Sequence, residues 1–177
     1  MPTDAPMRIL IAFASLSGNT RDLARMVRGH CEVRGHVVSW VETDVEGLGA
    51  AGPDPRHDLY LLGSWSGNGG RTPPEMKRFI SELHDAEGKP RHVALFGTGE
   101  TQWGEEYFCG AVRRMARFFD SRYPRLEVEQ MPHGERDAGE IRGWVDRVLE
   151  FRHGHRRHGG AHEHGDDRHA DPARLIA

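Results

Sequence analysis

The chain has 177 residues, 37% hydrophobic and 29% charged, with a formal charge of −3, which suits one domain with a modest core at about 100–200 residues per domain. Glycine is the outlier at 22 residues, where average usage predicts about 12, yet no Gly-X-Y period or low-complexity run points to collagen. The charge balance excludes the basic footprint of a nucleic-acid binder, and the longest apolar stretch, residues 9–14, is far short of a bilayer span.

The first strong segment, residues 7–14 (MRILIAFA), is a continuous apolar run that fits a strand buried on both faces. Turn residues 15–20 follow at once. A helical pattern then places Leu23, Met26, Val27 and Cys31 on one face until Gly35. Residues 36–42 (HVVSWVE) read as a second strand, and 43–57 as a loop with room for one helical turn. Residues 58–63 (DLYLLG) form a third strand that ends in a Gly-rich loop, 64–72. Thr72-Pro73-Pro74-Glu75 marks a helix start, since proline is tolerated in a first turn. Met76, Phe79, Ile80 and Leu83 form its apolar face.

Gly88-Lys89-Pro90 breaks the chain before a fourth strand at 92–97 (HVALFG). A loop to about Gly104 leads to a helix expected over 105–120, with Phe108, Val112, Met115 and Phe119 inward. Residues 126–131 read as an amphipathic edge strand. The last helix is expected over 136–151, with Ile141, Trp144, Val145 and Val148 inward. Composition then changes: residues 152–177 hold six of the twelve histidines with Gly and Arg, and read as a disordered tail. The organisation is thus a folded domain, 1–151, and a tail, 152–177.

Alternating strands and helices mean a parallel sheet covered on both faces. Such sheets take ligands at the carboxyl ends of their strands. Three loops leave at that end, 15–20, 63–72 and 97–104, and they hold Gly18, Gly63, Gly67, Gly69, Gly70, Gly97, Gly99 and Gly104. The glycine excess therefore falls largely where a ligand should sit. Ser15-Leu16-Ser17-Gly18-Asn19-Thr20 joins a buried strand to a helix start, whose unpaired N–H groups and dipole suit a phosphate. The hydroxyls of Ser15, Ser17 and Thr20 add donors. No lysine completes a Walker loop, so a bound monophosphate fits better than a transferred one.

These residues resemble the flavodoxins. Their phosphate loop reads S/T-x-S/T-G-x-T, which 15–20 matches at each defined position. The stretch from Phe96-Gly97-Thr98-Gly99-Glu100 to Tyr107-Phe108-Cys109-Gly110-Ala111-Val112 is similar to the family's F-G-x-G-D-…-Y-x-x-F-C-x-A-V, with Glu100 in place of Asp. The resemblance covers residues 7–151. It implies a flavodoxin-like, doubly wound five-stranded parallel sheet of order 2-1-3-4-5 with helices on both faces. It also implies noncovalent FMN.

On that reading Ser15, Leu16, Ser17, Gly18, Asn19 and Thr20 hold the phosphate, while Ser64, Trp65, Ser66, Gly67, Asn68, Gly69 and Gly70, with Gly97, Thr98, Gly99, Glu100, Gln102 and Trp103, frame the ring. The middle loop departs from the family, whose G-x-x-T-W-G-x-G carries a stacking Trp where this chain has Gly67; Trp65 lies two residues earlier. Trp65 either touches the flavin or supports the loop, and Trp103 is the preferred stacking ring. In the family a middle-loop carbonyl rotates toward the reduced ring, which makes Asn68-Gly69-Gly70 either that switch or a plain tight turn. Glu100, Glu105 and Glu106 are either a docking surface or an ordinary charged first turn.

The resemblance implies an electron carrier and not a turnover enzyme, passing single electrons from a reductase-type donor to an acceptor protein. The alternative is the flavodoxin-like activator of class Ib ribonucleotide reductase, whose middle loop is also Gly-rich and lacks the Trp. A monomer in a reduced cytoplasm is expected, without nucleic acid or membrane. The N-terminus has no charged-then-apolar leader pattern, and Cys31 and Cys109 have no zinc or CxxC spacing. His153, His155, His158, His162 and His164 are potential metal ligands, but no metal site is assigned, because a flexible tail offers no preformed geometry.

Overall fold

The computed structural model describes residues 5–100, 104–129 and 134–158, without the side chains of Asn68, Gly134 and residues 156–158. The elements run β1 (Arg8–Ala14), α1 (Asn19–Val33), β2 (Val37–Glu42), β3 (Leu59–Ser64), α2 (Pro74–Glu87), β4 (Val93–Gly99), α3 (Gly110–Phe118), β5 (Leu126–Glu129) and α4 (Gly134–His158). One 3-10 turn at Leu48–Ala51 supplies the helical turn expected between β2 and β3. Among the described residues the strands form one five-stranded sheet in the order β2-β1-β3-β4-β5, every pair parallel. This is the expected flavodoxin-like order.

Side chains alternate across each strand, so the sheet feeds two cores. Leu10, Ala12, Tyr60, Leu62 and Leu95 face α2 and α3, where Met76, Phe79, Ile80, Leu83, Val112 and Met115 pack. Ile9, Ile11, Phe13, Leu61 and Phe96 face α1 and α4, where Leu23, Val27, Cys31, Trp144, Val145 and Val148 pack. Burial of both faces explains why β1, β3 and β4 read as continuous apolar runs. The register aligns Ala14 with Ser64 and Ser64 with Gly97. The carboxyl ends of the three central strands therefore stand in one row, and their loops open side by side.

Two helices differ from expectation. The helix expected over 105–120 is α3, Gly110–Phe118. Residues 105–109 form tight turns closed by Tyr107 N–H to Gly104 O and Phe108 N–H to Glu105 O. Cys109, at φ 48°, sits in the left-handed region and separates these turns from the helix; a non-glycine residue there is uncommon. Val112, Met115 and Phe119 are buried as expected, and half-buried Phe108 packs on the same core.

The last helix, expected over 136–151, is α4, Gly134–His158. It continues past the domain boundary placed at 151, where it finds partners in the residues just before β3 and β4. Arg152 Nε donates to Asp58 O at 2.8 Å, and the His155 ring lies 5.8 Å from that of His92. The rest of the tail, 159–177, lies outside the described residues, as do residues 130 and 131 of the expected last strand.

Candidate functional site

The three loops enclose a cleft of about 580 Å³, within the range of roughly 300–1,000 Å³ common for small-molecule sites. Leu16, Ser17 and Asn19 line it from the first loop; Trp65, Ser66, Gly67 and Gly69 from the middle loop; Thr98, Gly99 and Glu100 from the third. Tyr107 and Cys109, just before α3, complete the wall. Trp103 and Gln102, with Thr101 between Glu100 and them, lie outside the described residues.

The first loop is built to leave amides free. Gly18 caps α1 at φ 95° with no side-chain capping bond of its own, a conformation that favours glycine. Ser15 Oγ, folded back, accepts from Gly18 N–H at 3.2 Å and Arg21 N–H at 3.3 Å. Asp22 N–H makes the first intrahelical bond, to Gly18 O. The amides of Asn19 and Thr20 thus have no intrahelical carbonyl within reach, and point where an anion is favoured.

Of the three expected hydroxyl donors, Ser17 borders the cleft, whereas Ser15 serves the helix start. Thr20 Oγ1 pairs at 2.9 Å with Thr98 Oγ1, both residues buried. That bond joins the first loop to the third. The Arg21 guanidinium is bound to Glu42, with Nε at 2.9 Å. Glu42 also raises its pKa, by hydrogen bonding first and by charge second. The loop's attraction for an anion therefore rests on amides and hydroxyls, without a committed cation.

In the middle loop Trp65 N–H donates to Ala14 O at 3.3 Å, and Ser64 Oγ donates to Trp65 O at 2.7 Å. The Trp65 ring packs on the core while lining the cleft, and its Nε1 donates to Glu75 Oε1 at 3.2 Å. Trp65 thus combines loop support with a place on the cleft wall. Residues 68–70 form a 3-10 turn in which Gly69 and Gly70 have φ of 69° and 73°. A β-carbon on Gly69 would meet nothing within 4 Å, so at this cleft-lining position the missing side chain leaves open space. Ser66 Oγ accepts from Ala111 N–H at 3.1 Å and ties the loop to α3.

Ser64 and Gly97 are paired strand ends just beneath the lining, and Gly70 lies behind it against Gly110. Two residues of the wall, Tyr107 and Cys109, were absent from the expected site set. Both stand in the stretch 107–112 that resembles the family, which was the available signal, but that stretch alone does not show that the turns before α3 bring them to the cleft. Burial, with Glu127 adding to it, pushes the Cys109 thiol up to about 12, so it stays protonated and unreactive at neutral pH. Asp44, whose Oδ2 accepts from Ser15 N–H at 3.1 Å, was also missed. No local motif marks it.

Among the described residues no group of three or more His, Cys, Asp or Glu is placed to hold a metal ion, and no helix is long and apolar enough to cross a membrane. The cleft pairs a helix-start anion site with a slot between Gly-rich loops, lined also by Trp65 and Tyr107. That arrangement fits a flat aromatic group carrying a phosphate.

Comparison with known proteins agrees. The family model described as Flavodoxin matches residues 11–135. The probable flavodoxin 2 of Bacillus subtilis is 26% identical over 136 residues, covering 73% of this chain and 87% of that protein. The crystal structure of oxidised flavodoxin 2 from Bacillus cereus is 27% identical, superposes with a TM-score of 0.65, and covers 81% of this chain and 99% of that one. A short-chain flavodoxin associated with a non-canonical PDU bacterial microcompartment superposes at 0.71 with 16% identity, covering 82% and 99%. That last likeness is one of fold.

Proposed function

This chain belongs to the flavodoxin family, a family of FMN-binding electron carriers, and from that premise we propose that it binds FMN in the three-loop cleft and carries single electrons from a reductase-type donor to an acceptor protein. The observation that carries the proposal is the convergence of the phosphate loop, the middle loop and the third loop on one cleft.

In this reading the amides of Asn19 and Thr20 and the Ser17 hydroxyl bind the phosphate. Thr98 fixes the third loop to the first through Thr20. Trp65 and Tyr107 flank the ring, and Ser66 anchors the middle loop so that Gly67–Gly69 backbone reaches the ring edge. Bound FMN supplies the electron-storing ring; the protein supplies its seat and the degree of its exposure. Leu16 and Tyr107, which line the cleft while being 74% and 46% exposed, leave one edge open for a partner protein. The chain stores an electron, and turnover belongs to its partners.

The test is reconstitution followed by redox titration. The apoprotein should take up one FMN per chain and become yellow, with the flavin fluorescence quenched, and should then be reduced in two separate one-electron steps. A protein that stays colourless with excess FMN overturns the proposal. A flavin reduced in a single two-electron step overturns the one-electron part.

A further inference from the structure

One cation stands at the phosphate loop with its charge already matched. Arg21 follows Thr20, and its backbone N–H donates to Ser15 Oγ at 3.3 Å. Its side chain stays beside the loop, where Nη1 would lie 3.8 Å from a β-carbon on Gly18. The other edge of the guanidinium, Nε with Nη2, donates to Glu42 Oε1, from Nε at 2.9 Å. Glu42 is there to receive it because the β1–β2 register sets it beside Phe13, just ahead of the loop.

The pair is sheltered. The Arg21 and Glu42 side chains are 35% and 18% exposed, against 65% and 52% for Arg25 and Asp22, the next pair along α1. Salt therefore screens the Arg21–Glu42 contact less. A guanidinium meets a phosphate through the same planar fork of donors that it offers a carboxylate. The edge spent on Glu42 is thus an edge withheld from a phosphate. Both arginines at this end of α1 already face carboxylates, and the Ser15 amide is taken by Asp44.

We propose that Glu42 is a specificity-determining residue: it withholds Arg21 from a phosphate bound at the start of α1. Amides and hydroxyls alone then hold the dianion, and the ring contacts carry the larger share of the affinity. Free phosphate competes weakly, so the ligand is selected by its ring and phosphate together. Removing the Glu42 carboxylate releases Arg21 by side-chain rotation, because its backbone is already tied to the loop. The consequence for FMN rests on the function proposed above; the hold of Glu42 over Arg21 at an anion-binding loop is tested without it.

The experiment titrates inorganic phosphate, FMN and riboflavin into four full-length apoproteins: wild type, Glu42→Ala, Arg21→Gln and the double variant. Glu42→Ala should tighten phosphate and FMN alike by about tenfold, the worth of a gained charge-assisted bond, and leave riboflavin unchanged. In the Arg21→Gln background the same change should give no more than about twofold, since loss of a carboxylate's field near the surface is worth little by itself. The Arg21 Nε–H signal of ¹⁵N-labelled protein, assigned with Arg21→Gln, reports the contact directly. Phosphate should move it in Glu42→Ala and not in wild type.

Glu42→Gln keeps the shape of the side chain and should change affinity in the same direction, which preserves the test if Glu42→Ala does not fold. An equal gain with and without Arg21 overturns the proposal, because the carboxylate would then act through its field alone. No gain in either Glu42 variant overturns it too, as does a wild-type Arg21 signal that already moves with phosphate. A chain that binds no FMN yet shows the Arg21-dependent gain for inorganic phosphate supports the role of Glu42 and overturns only the function. FMN binding with no coupling between the two positions overturns only the role of Glu42.

Discussion

Gly70 and Gly110 meet backbone against backbone. A β-carbon on Gly110 would lie 2.5 Å from the Gly70 carbonyl oxygen and 2.7 Å from its Cα. This contact, with the Ala111 N–H to Ser66 Oγ bond, seats the middle loop on the first turn of α3. Gly110→Ala should push the loop toward the cleft, because backbone on the other side cannot rotate away. The expected result is a stability loss of about 1–3 kcal/mol from overpacking and a fall in FMN affinity of roughly tenfold, or about 1.4 kcal/mol. Gly139→Ala on α4, where a β-carbon meets nothing within 4 Å, is the control. It should leave FMN binding unchanged and stabilise the helix by up to about 1 kcal/mol. Denaturant unfolding and FMN titration separate the two effects, and unchanged affinity in Gly110→Ala would refute the clamp.

Thr20 and Thr98 join the first and third loops by one buried hydroxyl pair at 2.9 Å. Replacing either with Val leaves the other hydroxyl buried and unmatched, at a cost of about 1–3 kcal/mol. The double Val variant should cost clearly less than the sum, since no orphan remains and the two sites share one interaction. Unfolding free energies of the four proteins give the coupling directly. Additive losses would mean that the hydroxyls act separately.

Most of the sheet was legible because its residues report their own surroundings. The run Ile9–Ala14 is apolar at every position because each strand face carries a core, and the phosphate loop declares itself by small hydroxyl residues before a helical pattern. What was not legible depends on distant partners. The pattern from Phe108 to Phe119 has helical spacing, so nothing local shows that Cys109 turns left-handed and delays α3. Gly110 looks like an ordinary helix residue until Gly70 arrives from forty positions earlier. Likewise α4 extends to His158 because Asp58 and His92 are there to receive it, and Asp44 matters only because the β1–β2 register sets it opposite Ser15.

Trp144 tests whether the two faces of the sheet are energetically separate. It is fully buried, its ring lies 5.9 Å from that of Phe96, and its Nε1 donates to Pro124 O at 2.7 Å. Trp144→Phe should cost about 2–4 kcal/mol, through a cavity and a carbonyl left without its donor. Because this core lies against α1 and α4, FMN affinity should be unchanged while the variant is folded. A large loss of affinity at unchanged stability would show that α4 acts on the cleft.

The seat of α4's last turns should be sensitive to acid through His92. Burial, with the charges of Arg152 and His155 adding to it, pushes the His92 imidazole down to about 4, and its Nδ1 shares a hydrogen bond of 2.8 Å with Tyr123 OH. In the unfolded chain the same group titrates near 6.5. Between these values the unfolded state binds the extra proton, so stability falls as pH drops from about 6.5 toward 4 and this contribution flattens below that. A cation at His92 would also face Arg152, whose bond to Asp58 O holds the extension down, so the end of α4 should loosen first. His92→Gln cannot titrate. The difference in unfolding midpoint between wild type and His92→Gln, measured at neutral pH and again near pH 4.5, should change across this window. Amide exchange over residues 150–156 should quicken with acid in the wild type and much less in the variant. Identical pH dependence in the two proteins would show that the extension is not held through a neutral His92.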